Sequence, residues 1–158
     1  MTAITHNRHR SRLTEMIDKP GGISVGVALS QARANIEARR DPCLEAVAGM
    51  IKALLAIERP TSLEENFDRL MEVYRGTYAI IDIASPFDLG QLCAAAGHLC
   101  NLVDAASAGE LFDWRIVTVH AQAMQMLLQL PADALEARET VVASLKMVQE
   151  RNIPLAKT

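Results

Sequence analysis

Apolar residues recur at every third or fourth position along most of the chain, with charged residues between them. This spacing predicts amphipathic α-helices, because residues three and four apart share one helix face. No stretch alternates apolar and polar residues for long enough to indicate a β-strand. The pattern therefore predicts an all-α fold, with helices over 10–18, 24–39, 42–57 and 63–84, and three more that follow Ser85, follow Asp113 and open at Pro131.

Several helix borders carry capping signals. Ser62 and Glu65 form a capping box, in which the Ser oxygen accepts from a free amide of the first turn and Glu65 reaches back. Asp41-Pro42 reads as an N-cap with Pro at the first helical position. Ser85 and Asp113 are predicted to cap the helices that follow them.

The predicted inner stripe of the 63–84 helix mixes large and small residues, namely Phe67, Leu70, Tyr74, Thr77, Ile81 and Ala84. The last helix places Arg138 on its apolar face, between Leu135 and Val142. Amphipathic helices joined by short links predict an antiparallel up-and-down bundle. We expect four core helices over 63–150, with the earlier pair packed beside them or mediating dimerisation.

The composition supports one domain of this kind. The chain has 158 residues, of which 50% are hydrophobic and only 4% aromatic, so Ala, Leu, Val, Ile and Met fill the core. We expect a single bundle domain over 23–158, preceded by a basic leader over 1–22. The basic residues of the leader are Arg8, Arg10, Arg12 and Lys19.

Charge and hydropathy exclude several classes of function. The net charge of −3 argues against nucleic acid as a partner. Charges interrupt every apolar stretch before the ~20 residues that a membrane span needs, and no apolar stretch follows the basic leader as in a secretory signal. The sequence therefore predicts a cytoplasmic protein that does not bind membranes.

The three cysteines, Cys43, Cys93 and Cys100, fall in predicted helices and are expected to be reduced. Cys93 and Cys100 lie two helical turns apart, which is too far for a disulfide. His98 lies near this pair, but no Asp or Glu stands in ligand register. We expect neither a metal nor another cofactor.

A charged run in the 63–84 helix lies away from its apolar stripe and comprises Glu65, Asp68, Glu72, Arg75 and Gly76. A solvated face with an ion pair between Glu72 and Arg75 would account for the charges. It does not account for Gly76, since Gly inside a helix costs about 1 kcal/mol relative to Ala. A glycine there would let the backbone of a partner approach closely. The run is therefore a candidate docking face.

Two histidines are the remaining candidates for chemistry. His98 is predicted to lie at the edge of the buried stripe of its helix. His120 is expected to be half-buried at a helix contact, without a catalytic role.

Residues 63–150 resemble a histidine phosphotransfer domain. The resemblance is carried by Arg75 and Gly76, by the turn over 85–89 and by the helix that follows. In that family a phospho-accepting His precedes the basic residue by three positions, and this sequence has Glu72 there. The resemblance implies the scaffold of a phosphorelay module without its chemistry at that position. It makes His98 the competing phosphoacceptor, but the positions three and four residues after His98 hold Asn101 and Leu102 rather than a basic residue and Gly.

Across most of its length the chain also resembles the small CheE proteins encoded with alphaproteobacterial chemotaxis genes. The runs that carry this resemblance are Lys19-Pro20-Gly21-Gly22, Asp41-Pro42-Cys43-Leu44, Leu99-Cys100-Asn101-Leu102-Val103-Asp104, Asp113-Trp114 and Val119-His120. It implies a soluble signalling protein that acts among response regulators and kinases. It supplies no catalytic residues.

Together these features predict a non-catalytic chemotaxis or two-component signalling protein. We expect it to bind a CheY-like receiver domain or a histidine kinase through Glu65, Asp68, Glu72, Arg75 and Gly76. One alternative is active phosphotransfer through His98. Another is a structural module that forms a homodimer.

Overall fold

The structure, a computed structural model, describes residues 21–106 and 112–153. These residues form six α-helices and one short 3-10 helix, and no strand occurs among them. The predicted all-α fold is confirmed, whereas the helix predicted over 10–18 lies outside the described residues. In chain order the α-helices are α1 (Val25–Glu37), α2 (Arg40–Ala56), α3 (Leu63–Ala84), α4 (Gly90–Asp104), α5 (Arg115–Gln129) and α6 (Leu135–Asn152).

The chain divides into two units, residues 1–37 and 38–158. Helix α1 belongs to the first unit, and none of its residues is buried. The Ser24 side chain accepts a hydrogen bond from the backbone N–H of Val27 at 3.3 Å, which satisfies one free amide of the first turn. The single domain expected over 23–158 stays a prediction.

The second unit contains one hydrophobic core, built by α2 to α6. Helix α4 lies at its centre and packs against α3, α5 and α6, while α2 packs against α3 and α5. Small residues, Ala95 and Ala96, are fully buried on α4 and let neighbouring helices approach it. The largest fully buried apolar side chains are Ile51, Ile80, Leu92, Leu99, Met124 and Leu127.

The N-terminal border of α3 is the predicted capping box, except that Glu65 bonds to the residue before Ser62. The Ser62 hydroxyl accepts from the backbone N–H of Glu65 at 3.2 Å, as expected. The Glu65 carboxylate reaches back to the backbone N–H of Thr61 at 3.1 Å and also accepts from the Thr61 hydroxyl. These bonds, led by the one from the Thr61 backbone, lower the pKa of Glu65.

The C-terminal border of α3 differs from the prediction. Ser85 ends α3 and opens the 3-10 helix Ser85–Phe87, and it does not cap α4. Asp88 then adopts a left-handed conformation with φ 57°, and α4 begins only at Gly90. The intervening turn buries Phe87, so tertiary packing rather than a side-chain cap sets the start of α4.

The inner face of α3 is rotated by one residue from the predicted stripe. Leu70, Thr77 and Ala84 are buried as predicted, but Phe67 is 60% exposed, and Tyr74 and Ile81 are only half-buried. The other buried positions are Asn66, Val73 and Ile80. Two helices pack on α3 from different sides, so the buried strip is centred between α2 and α4.

Three other predicted borders have mixed outcomes. Asp41 lies in the first turn of α2, which begins at Arg40, so its predicted N-cap role is wrong. Asp113 is not the N-cap of α5, since that position is held by Trp114, but its carboxylate accepts from the backbone N–H of Arg115, the first residue of the helix, at 3.1 Å. Pro131 does not open the last helix, because a turn precedes α6 and the helix begins at Leu135.

The side chain of Arg138, on α6, caps the C-terminal end of the neighbouring helix α5. Its guanidinium Nη1 donates to the carbonyls of Leu127 and Leu130, each at 2.9 Å, and the residue is buried. Pro131 has no N–H, so it cannot donate to the Leu127 carbonyl as the next helical residue would. The arginine supplies the missing donor.

Candidate functional site

The charged face of α3 is defined here by Glu65, Asp68, Glu72, Arg75 and Gly76. The four charged side chains are exposed, and Gly76 is partly buried. The four charged side chains lie on the side of the helix away from its buried residues, and Gly76 lies at the border with α2. The capping box and the core contacts fix this helix in place, so the face is a rigid surface with charges of both signs.

The ion pair on this face is not the predicted one. The Arg69 guanidinium Nη1 lies 2.9 Å from the Glu72 carboxylate, in an exposed i,i+3 pair that raises the pKa of Arg69. The pair expected between Glu72 and Arg75 is therefore wrong. Among the described residues, Asp68 and Arg75 have no ion-pair or hydrogen-bond partner.

Gly76 has a structural explanation within the fold. A Cβ placed on it would lie 3.3 Å from Cδ2 of Leu54, a buried side chain of α2. The glycine therefore permits close packing of α2 on α3. Packing within the fold therefore accounts for Gly76 without a partner. Docking on this face would depend on its four charged side chains.

A second candidate surface surrounds His98 on α4. It is lined by two small residues of α4, Gly90 and Ala94, and by Glu139 and Lys146 of α6. Burial lowers the pKa of His98, and the positive charge of Lys146 lowers it further, so the imidazole is neutral at pH 7. This basic neighbour of His98 could not be found from local sequence, since Lys146 lies 48 residues further along the chain, on α6.

The two ring nitrogens of His98 differ in environment. Nδ1 is buried and has no hydrogen-bond partner among the described residues, whereas Nε2 is not sealed from solvent. A neutral imidazole carries its proton on the nitrogen that finds an acceptor, and here only Nε2 can reach water. This tautomer leaves no lone pair on Nε2, and it weakens His98 as a nucleophile.

His120 is fully buried on α5, more deeply than the half-burial expected from the sequence. Its Nδ1 lies 2.8 Å from the carbonyl of Ile116 and donates to it, while Nε2 is buried with no partner among the described residues. Burial lowers the pKa of His120, the hydrogen bond to the Ile116 carbonyl offsets part of this, and nearby His98 lowers the pKa again. Its position is that of a neutral core residue.

No protein family, curated protein or solved structure matches this chain.

No group of three or more His, Cys, Asp or Glu side chains within 21–106 and 112–153 is arranged to hold a metal ion. In the same part of the chain, none of the helices has the length and apolarity to cross a bilayer. Cys43, Cys93 and Cys100 are free thiols, and burial raises the pKa of Cys93 and of Cys100.

Proposed function

We propose that this chain is a non-catalytic signalling protein that binds a receiver domain or a histidine kinase of a two-component system. The observation that carries the proposal is the charged face of α3. Its side chains extend from one side of a 22-residue helix whose other side forms the core. In the proposal the bundle is of the antiparallel up-and-down, phosphotransfer-like kind and acts in the cytoplasm. Binding would sequester the partner or modulate its phosphorylation.

The charges of this face suit such a role. Asp68 and Arg75 have no partner among the described residues, so neither must break an internal ion pair to meet a partner. Charges at the rim of an interface mainly set specificity and the rate of association. Glu72 offers a carboxylate where phosphotransfer domains carry their His, so the face binds without accepting phosphate.

The test is a binding screen against the receiver domains of the source genome, each measured in its phosphorylated and unphosphorylated form. We expect the double variant Asp68→Lys/Arg75→Glu, which keeps the net charge, to weaken binding by about tenfold or more. The matched control is Glu45→Lys/Lys52→Glu, which reverses two exposed charges on α2. Equal weakening by both double variants would contradict the proposed face.

A second candidate function is phosphotransfer through His98, and Lys146 is the observation that favours it. In this reaction the Nε2 lone pair attacks the phosphorus of a receiver aspartyl phosphate. The N–P bond forms as the P–O bond to the aspartate breaks, and the carboxylate leaves. The Lys146 ammonium would stabilise the negative charge of the phosphoryl group.

Incubation of this chain with a receiver domain that carries a radiolabelled phosphoryl group separates the two functions. Label that appears on this chain and is absent from the His98→Gln variant would favour transfer. We expect no label, because Nδ1 of His98 has no acceptor among the described residues to hold its proton and free the Nε2 lone pair.

A further inference from the structure

An apolar groove of about 340 Å³ lies between the first half of α3 and the end of α4. Its walls include Phe67, Met71 and Tyr74 of α3 and Val103 of α4. The volume lies within the range of small-ligand pockets, which starts at about 300 Å³. The charged face of α3 and the His98 surface lie elsewhere, so the groove is not explained by either proposed function.

Asn66 places a polar group in the wall of this groove. The residue is only 4% exposed, and its Oδ1 accepts from the indole N–H of Trp114 at 3.0 Å. That bond fixes the orientation of the amide, because the indole is only a donor. The amide Nδ2 has no acceptor among the described residues, yet it is not sealed from solvent. It is therefore a donor that a ligand oxygen can use.

Asp104 sets the charge of the groove from α4. It lines the groove, it is exposed, and it makes no ion pair with a described residue. Among the described residues that line the groove it is the only charged one, so neither Lys nor Arg offsets its charge there. The electrostatics therefore favour a cation.

Aromatic rings complete the chemistry of the groove. Tyr74 and Phe67 both line it, and the Tyr74 ring stacks on Tyr78 with 6.3 Å between centroids. Aromatic faces attract organic cations and also pack against an apolar body. The groove thus combines an unpaired carboxylate, an unused amide donor and aromatic walls.

We infer that this groove binds a small organic amine whose apolar body carries a hydrogen-bond-accepting oxygen. The ammonium group pairs with Asp104, the body packs between Phe67 and Tyr74, and the oxygen accepts from Nδ2 of Asn66. A carboxylate of the same size and shape is excluded, because Asp104 would repel it.

The test uses two probes with a common phenol body, tyramine and 3-(4-hydroxyphenyl)propionate. Trp114 is the only tryptophan of the chain and bonds directly to Asn66, so its indole N–H resonance reports on the groove. We expect tyramine to shift this resonance saturably and the carboxylate to leave it in place. Equal shifts from both probes, or none from tyramine up to roughly 10 mM, would overturn the inference.

Variants locate the binding. Asp104→Asn should weaken tyramine binding about three- to tenfold, since it removes a charge-assisted contact on a partly exposed rim. Phe67→Leu should weaken it as well, and neither exposed side chain is needed for the core. Asp133→Asn, an exposed carboxylate outside the groove, serves as the control and should change nothing. Unchanged affinity in Asp104→Asn would refute the assigned site.

Asn66→Asp removes the amide donor and keeps the oxygen that Trp114 needs. It should therefore weaken 4-methoxyphenethylamine, whose ether oxygen can only accept, more than phenethylamine, which has no oxygen. The indole resonance checks that this variant is folded. If it is not, the results with Asp104→Asn and Phe67→Leu decide the inference.

Discussion

Arg138 is the buried cation on which the end of α5 depends, and its removal gives the sharpest test of the fold. It bonds two carbonyls at 2.9 Å, and the first of these faces Pro131, which has no N–H to offer. A hydrogen bond from a charged donor contributes about 1.5–3 kcal/mol, and burial of the guanidinium offsets part of that. We expect Arg138→Met to lower the free energy of unfolding by about 2–4 kcal/mol.

Urea unfolding, followed by far-ultraviolet circular dichroism and by Trp114 fluorescence, measures this change. Arg151→Met is the matched control, because Arg151 is exposed in the last turn of the same helix. Its loss should stay below about 1 kcal/mol, the scale of a helix-dipole contribution. Arg138→Lys should recover part of the lost stability, since an ammonium is a donor of different geometry. Equal stability of Arg138→Met and the wild type would refute the capping role.

Three further predictions concern other parts of the second unit. Gly49→Ala, with open space around the new Cβ, should stabilise by about 0.5–1 kcal/mol, whereas Gly76→Val should destabilise by about 1–3 kcal/mol because it meets α2; urea unfolding measures both. Ser62→Ala should cost about 1 kcal/mol and lower the melting temperature, while Ser144→Ala, which removes no cap, should not. Burial lowers the pKa of His120 below its ordinary 6.5, so stability is retained above that pH and falls by about 1.4 kcal/mol per pH unit below it. In a His98→Gln background, His120→Gln should flatten this pH dependence; an unchanged slope would show that His120 is not its source.

Local signals in the sequence predicted much of the helical structure. The bounds of α3 follow from its capping box and its apolar spacing, and both are visible in the order of residues. The rotation of its inner face was not predictable in the same way. Tyr74 and Val73 are both apolar enough to be buried, and only the positions of α2 and α4 decide between them.

In the candidate sites, too, local sequence predicted some features, while contacts between distant segments set others. The exposed charges of α3 could be found from helix periodicity alone. The packing role of Gly76 could not be seen from the sequence, because its neighbour Leu54 comes from another helix. Lys146 beside His98, and Trp114 beside Asn66, are contacts between distant segments that no local pattern encodes. One local feature did point to Asn66: it is a polar residue at a position that shares the helical spacing of the buried residues Leu70, Val73 and Thr77.

Binding of a signalling partner by the charged face of α3, without acceptance of phosphate, can be measured in one experiment. The affinities of the wild type and of Asp68→Lys/Arg75→Glu are measured for receiver domains that carry a radiolabelled phosphoryl group, and label on this chain is recorded in the same samples. We expect binding to at least one receiver, its loss in the charge-reversed variant, and no label on the chain. Binding that survives the charge reversal, or label that depends on His98, would refute the proposed role of this face.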